Sequence, residues 1–205
     1  MELHQFRHSA FCEKVRLILA AKGLEVTVVE VTPGVGQLEL FRLSGQRQVP
    51  VLVDGGSVIA DSTAIALHLE QTHPTPPLLP VDPIARARVL LLEDWADTAL
   101  AGGCRRALLQ AAAADPQLRS GLLPDTTPDP LRQLVGALPA GLMAPISEAV
   151  VETLAPCEAR QLQRSLEQLV QLIEARPYLE GERLSLADLA VVAQLSLLRF
   201  PASAG

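Results

Sequence analysis

The chain has 205 residues, a length that allows one large domain or two small ones. Apolar residues make up 49% and charged residues 20%, which is typical of a folded globular protein and excludes a disordered or collagen-like chain. The 17 basic and 23 acidic residues give a formal net charge of −6, and they form no basic run. Nucleic acids and anionic membrane surfaces are therefore not expected partners.

The N-terminus and the cysteines predict a cytoplasmic protein without a metal. No cationic segment leads into an apolar one after Met1, and no stretch reaches about 18 uninterrupted apolar residues. Cys12, Cys104 and Cys157 are odd in number and widely spaced, a pattern that fits neither a disulfide framework nor a zinc site.

A proline-rich segment, 73–83, divides the chain into two regions of different pattern. Repeated proline removes backbone donors and disfavours helix in each preceding residue. Mixed strand and helix patterns precede this segment, and almost purely helical patterns follow it. The sequence therefore predicts one domain over residues 1–80 and an all-helical domain over residues 84–205.

The first region predicts the order β–α–β–α–β–β–α. Its elements, in chain order, are strand 3–6, helix 12–22, strand 25–31, a weaker helix 37–43, strands 51–53 and 57–59, and helix 62–71. The first helix connects two strands that are expected to be parallel neighbours. The turn Asp54-Gly55-Gly56 predicts an antiparallel hairpin. This order is that of a thioredoxin-like domain.

The second region predicts helices over 85–100, 104–113 and 146–176, the last interrupted at Pro156. The proline- and glycine-punctuated stretch 115–145 gives no clear pattern. Ser185 and Asp188 form an S-x-x-D capping box that predicts another helix start and serves folding rather than chemistry.

Three segments place polar or unpaired groups where a ligand could bind. Ser9 lies at the start of the first helix, where free N–H groups and the helix dipole favour negative charge, although it could equally be an ordinary N-cap. Pro50 opens a strand, which leaves the backbone of Val49 free to pair with a ligand's peptide. Asp61 and Ser62 start a helix and could cap it or bind a ligand's ammonium and carboxylate.

Taken together, four segments resemble the cytosolic glutathione S-transferase superfamily in order and spacing: 9–16, 48–50, 61–62 and 185–188. The resemblance covers about residues 2 to 199. It implies a thioredoxin-like glutathione domain, followed by a helical-bundle domain that supplies the pocket for a hydrophobic substrate.

The resemblance also implies roles for individual residues, with glutathione as co-substrate and no metal. Ser9 matches the catalytic hydroxyl of serine-type members. The γ-glutamyl end of glutathione is expected at Asp61 and Ser62. Three consecutive positions complete the match: Gln48 as a weaker contact, Val49 as the backbone partner of the cysteinyl unit, and Pro50 as a cis-proline.

The implied activity is a glutathione transferase of the detoxification type, acting as a homodimer on small hydrophobic electrophiles or peroxides. A hydroxyl at a helix start stabilises a thiolate, which is the reactive form of glutathione. Phe11 and Trp95 are the candidate aromatic residues of the hydrophobic pocket, with core packing as the alternative for both. Similar proteins usually continue with further helices after the capped helix, and whether the helical domain 84–205 is truncated relative to them stays open on the sequence.

Two other functions stay open on the sequence. Cys12 stands at the second position of a Ser-x-x-Cys segment where a dithiol oxidoreductase carries Cys-x-x-Cys, so glutathione-dependent disulfide reduction is one alternative. A small buried thiol is the plainer interpretation of Cys12. The other alternative is a non-catalytic interaction protein that keeps the fold.

Overall fold

The computed structural model describes residues 1–32, 35–123, 127–138 and 157–199. Four strands form one mixed sheet in the order β2-β1-β3-β4. The strands are β1 (Glu2–Gln5), β2 (Thr27–Glu30), β3 (Val51–Asp54) and β4 (Ser57–Ala60). β1 and β2 are parallel, whereas β3 pairs antiparallel with both β1 and β4. The predicted crossover and hairpin are both confirmed.

The helices of the first region flank this sheet, and those of the second region follow the proline-rich segment. In chain order they are α1 (Ala10–Ala21), α2 (Val35–Ser44), α3 (Ser62–Thr72), α4 (Pro83–Trp95), α5 (Ala101–Ala114), α6 (Pro116–Gly121), α7 (Asp129–Ala137), α8 (Cys157–Ala175) and α9 (Leu186–Leu195). A thioredoxin-like region therefore precedes a mostly helical one, as predicted.

Helix α1 joins the two regions through its apolar face. Val15, Ile18 and Leu19 recur at helical spacing and are fully or almost fully buried. They belong to a single hydrophobic cluster that also contains Val89 of α4 and Ala190 of α9. The sheet, α1 and the later helices thus share one core, and the ligand-facing end of β1 and α1 is held against the helical region.

The predicted helices 85–100 and 104–113 correspond to α4 and α5, which follow one another without a gap. A π-helical turn, Ala96–Leu100, connects them without leaving the helical path. Glycine lowers helix propensity, yet the first turn of α5 contains both Gly102 and Gly103. A Cβ on Gly103 would lie 2.9 Å from Leu162 Cβ of α8, so this glycine permits close packing of two helices.

Two short helices, α6 and α7, occupy the described part of the stretch 115–145. The predicted helix 146–176 is represented by α8, and residues 146–156 lie outside the described residues. The capping box at α9 is confirmed: Asp188 Oδ2 accepts from Ser185 N over 2.8 Å and from Ser185 Oγ over 2.6 Å.

Candidate functional site

Ser9 is the N-cap of α1, with an extended backbone at φ −85° and ψ 121°. Its Oγ accepts a hydrogen bond from Cys12 N over 3.4 Å, which satisfies one of the free donors of the helix start. No described residue accepts a hydrogen bond of ordinary length and angle from the Ser9 hydroxyl, although this hydroxyl lies close enough to Cys12 to offset part of the pKa rise that burial causes in its thiol. The side chain is half-buried, so the Ser9 O–H is available to donate to a ligand.

Val49 presents unpaired backbone groups immediately before β3. The Val49–Pro50 peptide bond is cis, as the resemblance implied. Neither the N–H nor the C=O of Val49 makes a hydrogen bond to another described residue. Val51 is in register with His4 of β1 and Ala60 of β4, so the Val49–Pro50 bond lies at the sheet end where β1 leads toward Ser9.

Asp61 and Ser62 start α3 at the same end of the sheet, because they directly follow Ala60. Asp61 is exposed, and its Oδ1 accepts from Thr63 N over 2.9 Å and from Ala64 N over 3.0 Å. Ser62 is buried, with 2% of its surface exposed. The carboxylate of Asp61 therefore acts as a helix cap and keeps its second oxygen available to solvent or a ligand.

A cleft of about 400 Å³ brings four of the predicted site residues together. Ser9, Phe11, Gln48 and Val49 all contribute to its lining. A larger cleft of about 910 Å³ also has Ser9 in its lining and extends between the first region and helices α5 and α6. Ser9 thus stands where two clefts meet. Pro50, Asp61 and Ser62 are not among the described lining residues of either cleft.

Two arginines that the sequence analysis did not single out also line the smaller cleft. Arg47 lies 5.6 Å from the ring centroid of Phe41, and Arg105 projects from α5 of the second region. The described lining residues include no carboxylate, so the cleft carries positive charge on an acidic chain. No sequence signal pairs Arg47 with Arg105, because only the packing of α5 brings them to one cleft.

Cys12 is buried beneath the start of α1 rather than exposed in the cleft. It has no solvent-exposed surface, and its Sγ accepts a hydrogen bond from Phe6 N over 3.5 Å. Burial raises the pKa of the Cys12 thiol, against smaller lowering effects from the Phe6 N–H and the Ser9 hydroxyl. At neutral pH Cys12 is therefore a protonated thiol, which is a poor nucleophile.

Trp95 packs against the shared hydrophobic cluster and lines neither of the two clefts at Ser9. In the described ranges, no group of three or more His, Cys, Asp or Glu side chains is arranged to hold a metal ion. None of the helices in those ranges combines the length and apolar character required to cross a membrane.

Residues 3–77 match the family model of the glutathione S-transferase N-terminal domain. The chain is 36% identical over 100 residues to a stringent starvation protein A homolog of Pasteurella multocida, a match that spans 46% of this chain and 47% of that protein. The chain thus covers about half the length of the first curated relatives it matches.

Two further similarities extend over nearly the whole chain. It is 30% identical over 202 residues to FtsZ-localized protein A of Caulobacter vibrioides, covering 97% of this chain and 77% of that protein. A solved glutathione S-transferase from Rhodospirillum rubrum F11 superimposes with a TM-score of 0.69 at 26% identity, covering 98% of this chain and 79% of the other.

Proposed function

Because the chain belongs to the glutathione S-transferase superfamily, we propose that it binds glutathione and activates the thiol at Ser9 for transfer to small hydrophobic electrophiles or peroxides. One observation carries this proposal. The Ser9 hydroxyl accepts from the helix start, lines both clefts and can donate a hydrogen bond to a bound sulfur. A donor with this geometry stabilises a thiolate more than a thiol, so it lowers the pKa of the bound sulfur.

Glutathione would lie along the sheet end that carries Val49 and Asp61. The free N–H and C=O of Val49 are suited to the cysteinyl peptide, with Gln48 beside it. Asp61 and Ser62 would hold the γ-glutamyl ammonium and carboxylate. Arg47 and Arg105 would attract the glycyl carboxylate, because they bring positive charge to a cleft whose described lining has no acid.

The second substrate would enter from the larger cleft, with its reactive carbon or oxygen close to the sulfur. The apolar wall at Phe6 and Phe11 limits water near the thiolate, which keeps the sulfur reactive. In conjugation a carbon–sulfur bond forms as the leaving group departs. Holding two reactants together in this way lowers the entropic part of the barrier.

A Ser9→Ala variant tests the role of this hydroxyl. We expect conjugation of 1-chloro-2,4-dinitrobenzene to fall by about a hundredfold or more at neutral pH, the order expected for losing a key stabilising donor. The remaining activity should increase toward higher pH, because the bound thiol then ionises with a higher pKa. Unchanged turnover and an unchanged pH profile would show that Ser9 is only a cap.

Asp82→Ala provides the matched control. Asp82 is the N-cap of α4 and accepts from Ala85 N over 2.8 Å, so this variant also loses one cap hydrogen bond. Each substitution should cost about 1 kcal/mol of stability. Only Ser9→Ala should lose activity.

A non-catalytic interaction protein is the second candidate, because relatives carry the names stringent starvation protein A homolog and FtsZ-localized protein A. Thermal unfolding distinguishes the two functions. Saturating glutathione must raise the melting temperature of a protein that binds it. No shift at millimolar glutathione would favour the interaction protein and contradict the transferase.

Disulfide reduction through Cys12 receives no support from the geometry, because this thiol is buried and has a raised pKa.

We propose a homodimer in the cytoplasm with a detoxification role, as is common for similar proteins. Light scattering of the full chain tests the dimer: a monomer mass at micromolar concentration would contradict it.

A further inference from the structure

We propose that Lys14 is a positioning residue that fixes the γ-glutamyl end of the glutathione site, an inference that rests on the proposed function. Lys14 lies in the second turn of α1 and has no solvent-exposed surface. Its ammonium group does not reach either cleft at Ser9. It acts instead through Thr63, the residue that follows Asp61 and Ser62 in α3.

The Lys14 ammonium has three acceptors, one for each of its protons. Lys14 Nζ lies 2.6 Å from Glu93 Oε1 and 3.1 Å from Thr63 Oγ1, and its third partner is Asp97 Oδ2. The side chain of Glu93 is 3% exposed and that of Asp97 14%. Such a buried charge is tolerated only when it is paired and fully hydrogen-bonded, and this one is.

Thr63 connects this ion cluster to the ligand-binding turn. Its Oγ accepts from Lys14 Nζ and donates to Glu93 Oε1 over 2.6 Å, so both hydrogen-bonding functions of the hydroxyl are used. The backbone N–H of Thr63 donates at the same time to Asp61 Oδ1. The first turn of α3 is therefore tied on one side to Asp61 and on the other to a buried ion pair.

The cluster also reaches the helical region, which makes it a junction of five elements: α1, α3, α4, the π-helical turn and α9. Glu93 belongs to α4, and Asp97 belongs to the π-helical turn that follows it. Asp97 Oδ1 accepts from Gln194 Nε2 of α9 over 3.1 Å. The thiol end of the proposed site is formed by the start of α1, the helix that carries Lys14. The γ-glutamyl end is formed by the start of α3. Lys14 thus sets the spacing between these two ends by holding both helices to Glu93 and Asp97 of the helical region.

Lys22 offers a matched comparison on the same helix. It is the only other lysine of the chain, its side chain is also fully buried, and it also has three acceptors. Lys22 Nζ lies 2.8 Å from Glu70 Oε2, 2.8 Å from His73 O and 2.9 Å from Pro76 O. These partners belong to the end of α3 and the proline-rich segment, so Lys22 pairs a buried charge without touching the start of α3.

The sharpest test removes the hydroxyl of Thr63 and leaves the ion pair in place. Thr63→Val should raise the KM for glutathione by about fivefold or more, with kcat changed by less than about twofold, because the hydrogen bonds of the Thr63 hydroxyl to Lys14 and to Glu93 are both lost. Thr72→Val is the control on the same helix, since Thr72 Oγ bonds only His68 O over 2.9 Å. This control should leave both constants unchanged.

A truncated thiol separates positioning from general damage. Cysteinylglycine lacks the γ-glutamyl unit, so its kcat/KM should be the same for the wild-type protein and Thr63→Val. An equal loss with both thiols, or an unchanged KM for glutathione, would overturn the inference.

The two lysines provide a second, stronger comparison. Lys14→Met leaves two carboxylates, Glu93 and Asp97, without their cation, and Lys22→Met leaves one, Glu70, so both variants should lose stability. Only Lys14→Met should raise the KM for glutathione, by about tenfold or more, because a displaced Asp61 loses its charged contact with the γ-glutamyl ammonium. Equal effects on KM in the two variants would overturn the inference. If Lys14→Met does not fold, the Thr63→Val comparison decides.

Failure of this inference is distinct from failure of the proposed function. A wild-type protein that glutathione does not stabilise would overturn the proposed function, and this inference with it. A wild-type protein that binds glutathione, with Thr63→Val indistinguishable from Thr72→Val, would overturn only the role of Lys14.

Discussion

At the scale of single residues, Asp61 is held in a backbone conformation that side chains rarely adopt. Its φ is 81°, the only positive value among the described residues other than glycine. Such a conformation costs of order 1–3 kcal/mol and persists where surrounding contacts impose it. Here the Asp61 carboxylate accepts two backbone N–H groups of α3, which holds the residue at the turn where the ligand is proposed to bind.

Asp61→Asn separates the charge of this residue from its capping role. The amide oxygen can still accept from the helix start, and asparagine tolerates positive φ, so stability should change by less than about 0.5 kcal/mol. The KM for glutathione should rise by about tenfold, because the γ-glutamyl ammonium loses its partner. Steady-state kinetics and urea unfolding measure the two effects. Asp82→Asn, at the N-cap of α4, should change neither, and an unaltered KM in Asp61→Asn would contradict the binding role.

At the scale of elements, the end of α5 depends on one buried arginine. Arg119 of α6 is 6% exposed and donates only to backbone carbonyls. Its acceptors are Ala112 O, Ala113 O, Val135 O, Gly136 O and Leu138 O, at 2.8 to 3.1 Å. Carbonyls at helix C-termini carry partial negative charge and lack partners within the helix. One planar guanidinium therefore fastens the ends of α5 and α7 to α6.

Two adjacent glycines of α5 should respond to alanine in opposite directions. A Cβ on Gly103 would overlap Leu162 of α8, whereas a Cβ on Gly102 would meet nothing within 4 Å. Gly103→Ala should therefore destabilise the protein by about 1–3 kcal/mol through overpacking. Gly102→Ala should stabilise it by about 0.5–1 kcal/mol through helix propensity. Urea unfolding measures both, and equal effects would show that α5 and α8 do not pack closely at Gly103.

At the scale of the whole molecule, the two lysines of the chain have equivalent places. The chain has two lysines, and both are buried at the junctions that α1 makes with the rest of the structure. A compact ammonium with three donors fits three converging acceptors, whereas the planar guanidinium of arginine does not. The cations of the clefts, Arg47 and Arg105 among them, are arginines.

Amine acetylation should therefore report on global unfolding. In the native protein, a succinimidyl acetate reagent should modify the α-amino group of Met1 and leave Lys14 and Lys22 intact, because both ammonium groups are buried and hydrogen-bonded. In concentrated guanidinium chloride all three amines should react. Peptide mass mapping locates the adducts, with Met1 as the internal control. Native modification of Lys14 at the rate of Met1 would contradict its burial.

The sequence alone predicted the strands, most helices, the parallel and antiparallel pairings and the cap at α9. These features depend on short-range chemistry: apolar periodicity, a turn of Asp and Gly, and a Ser with an Asp three residues later. It also marked Ser9, Val49 and Asp61 as residues of interest, because a helix start and a proline each leave backbone groups unpaired nearby.

Only the tertiary structure decided which of these residues share a cleft, and which distant residues join them. In the folded chain Ser9, Phe11, Gln48 and Val49 line one cleft, and Arg105 of α5 lines it with them. Trp95 packs against the hydrophobic core instead. The tertiary structure also packs Gly103 of α5 closely against Leu162 of α8. Such outcomes depend on the distance between groups far apart in the chain, and that distance is fixed by the packing of whole elements rather than by local preference.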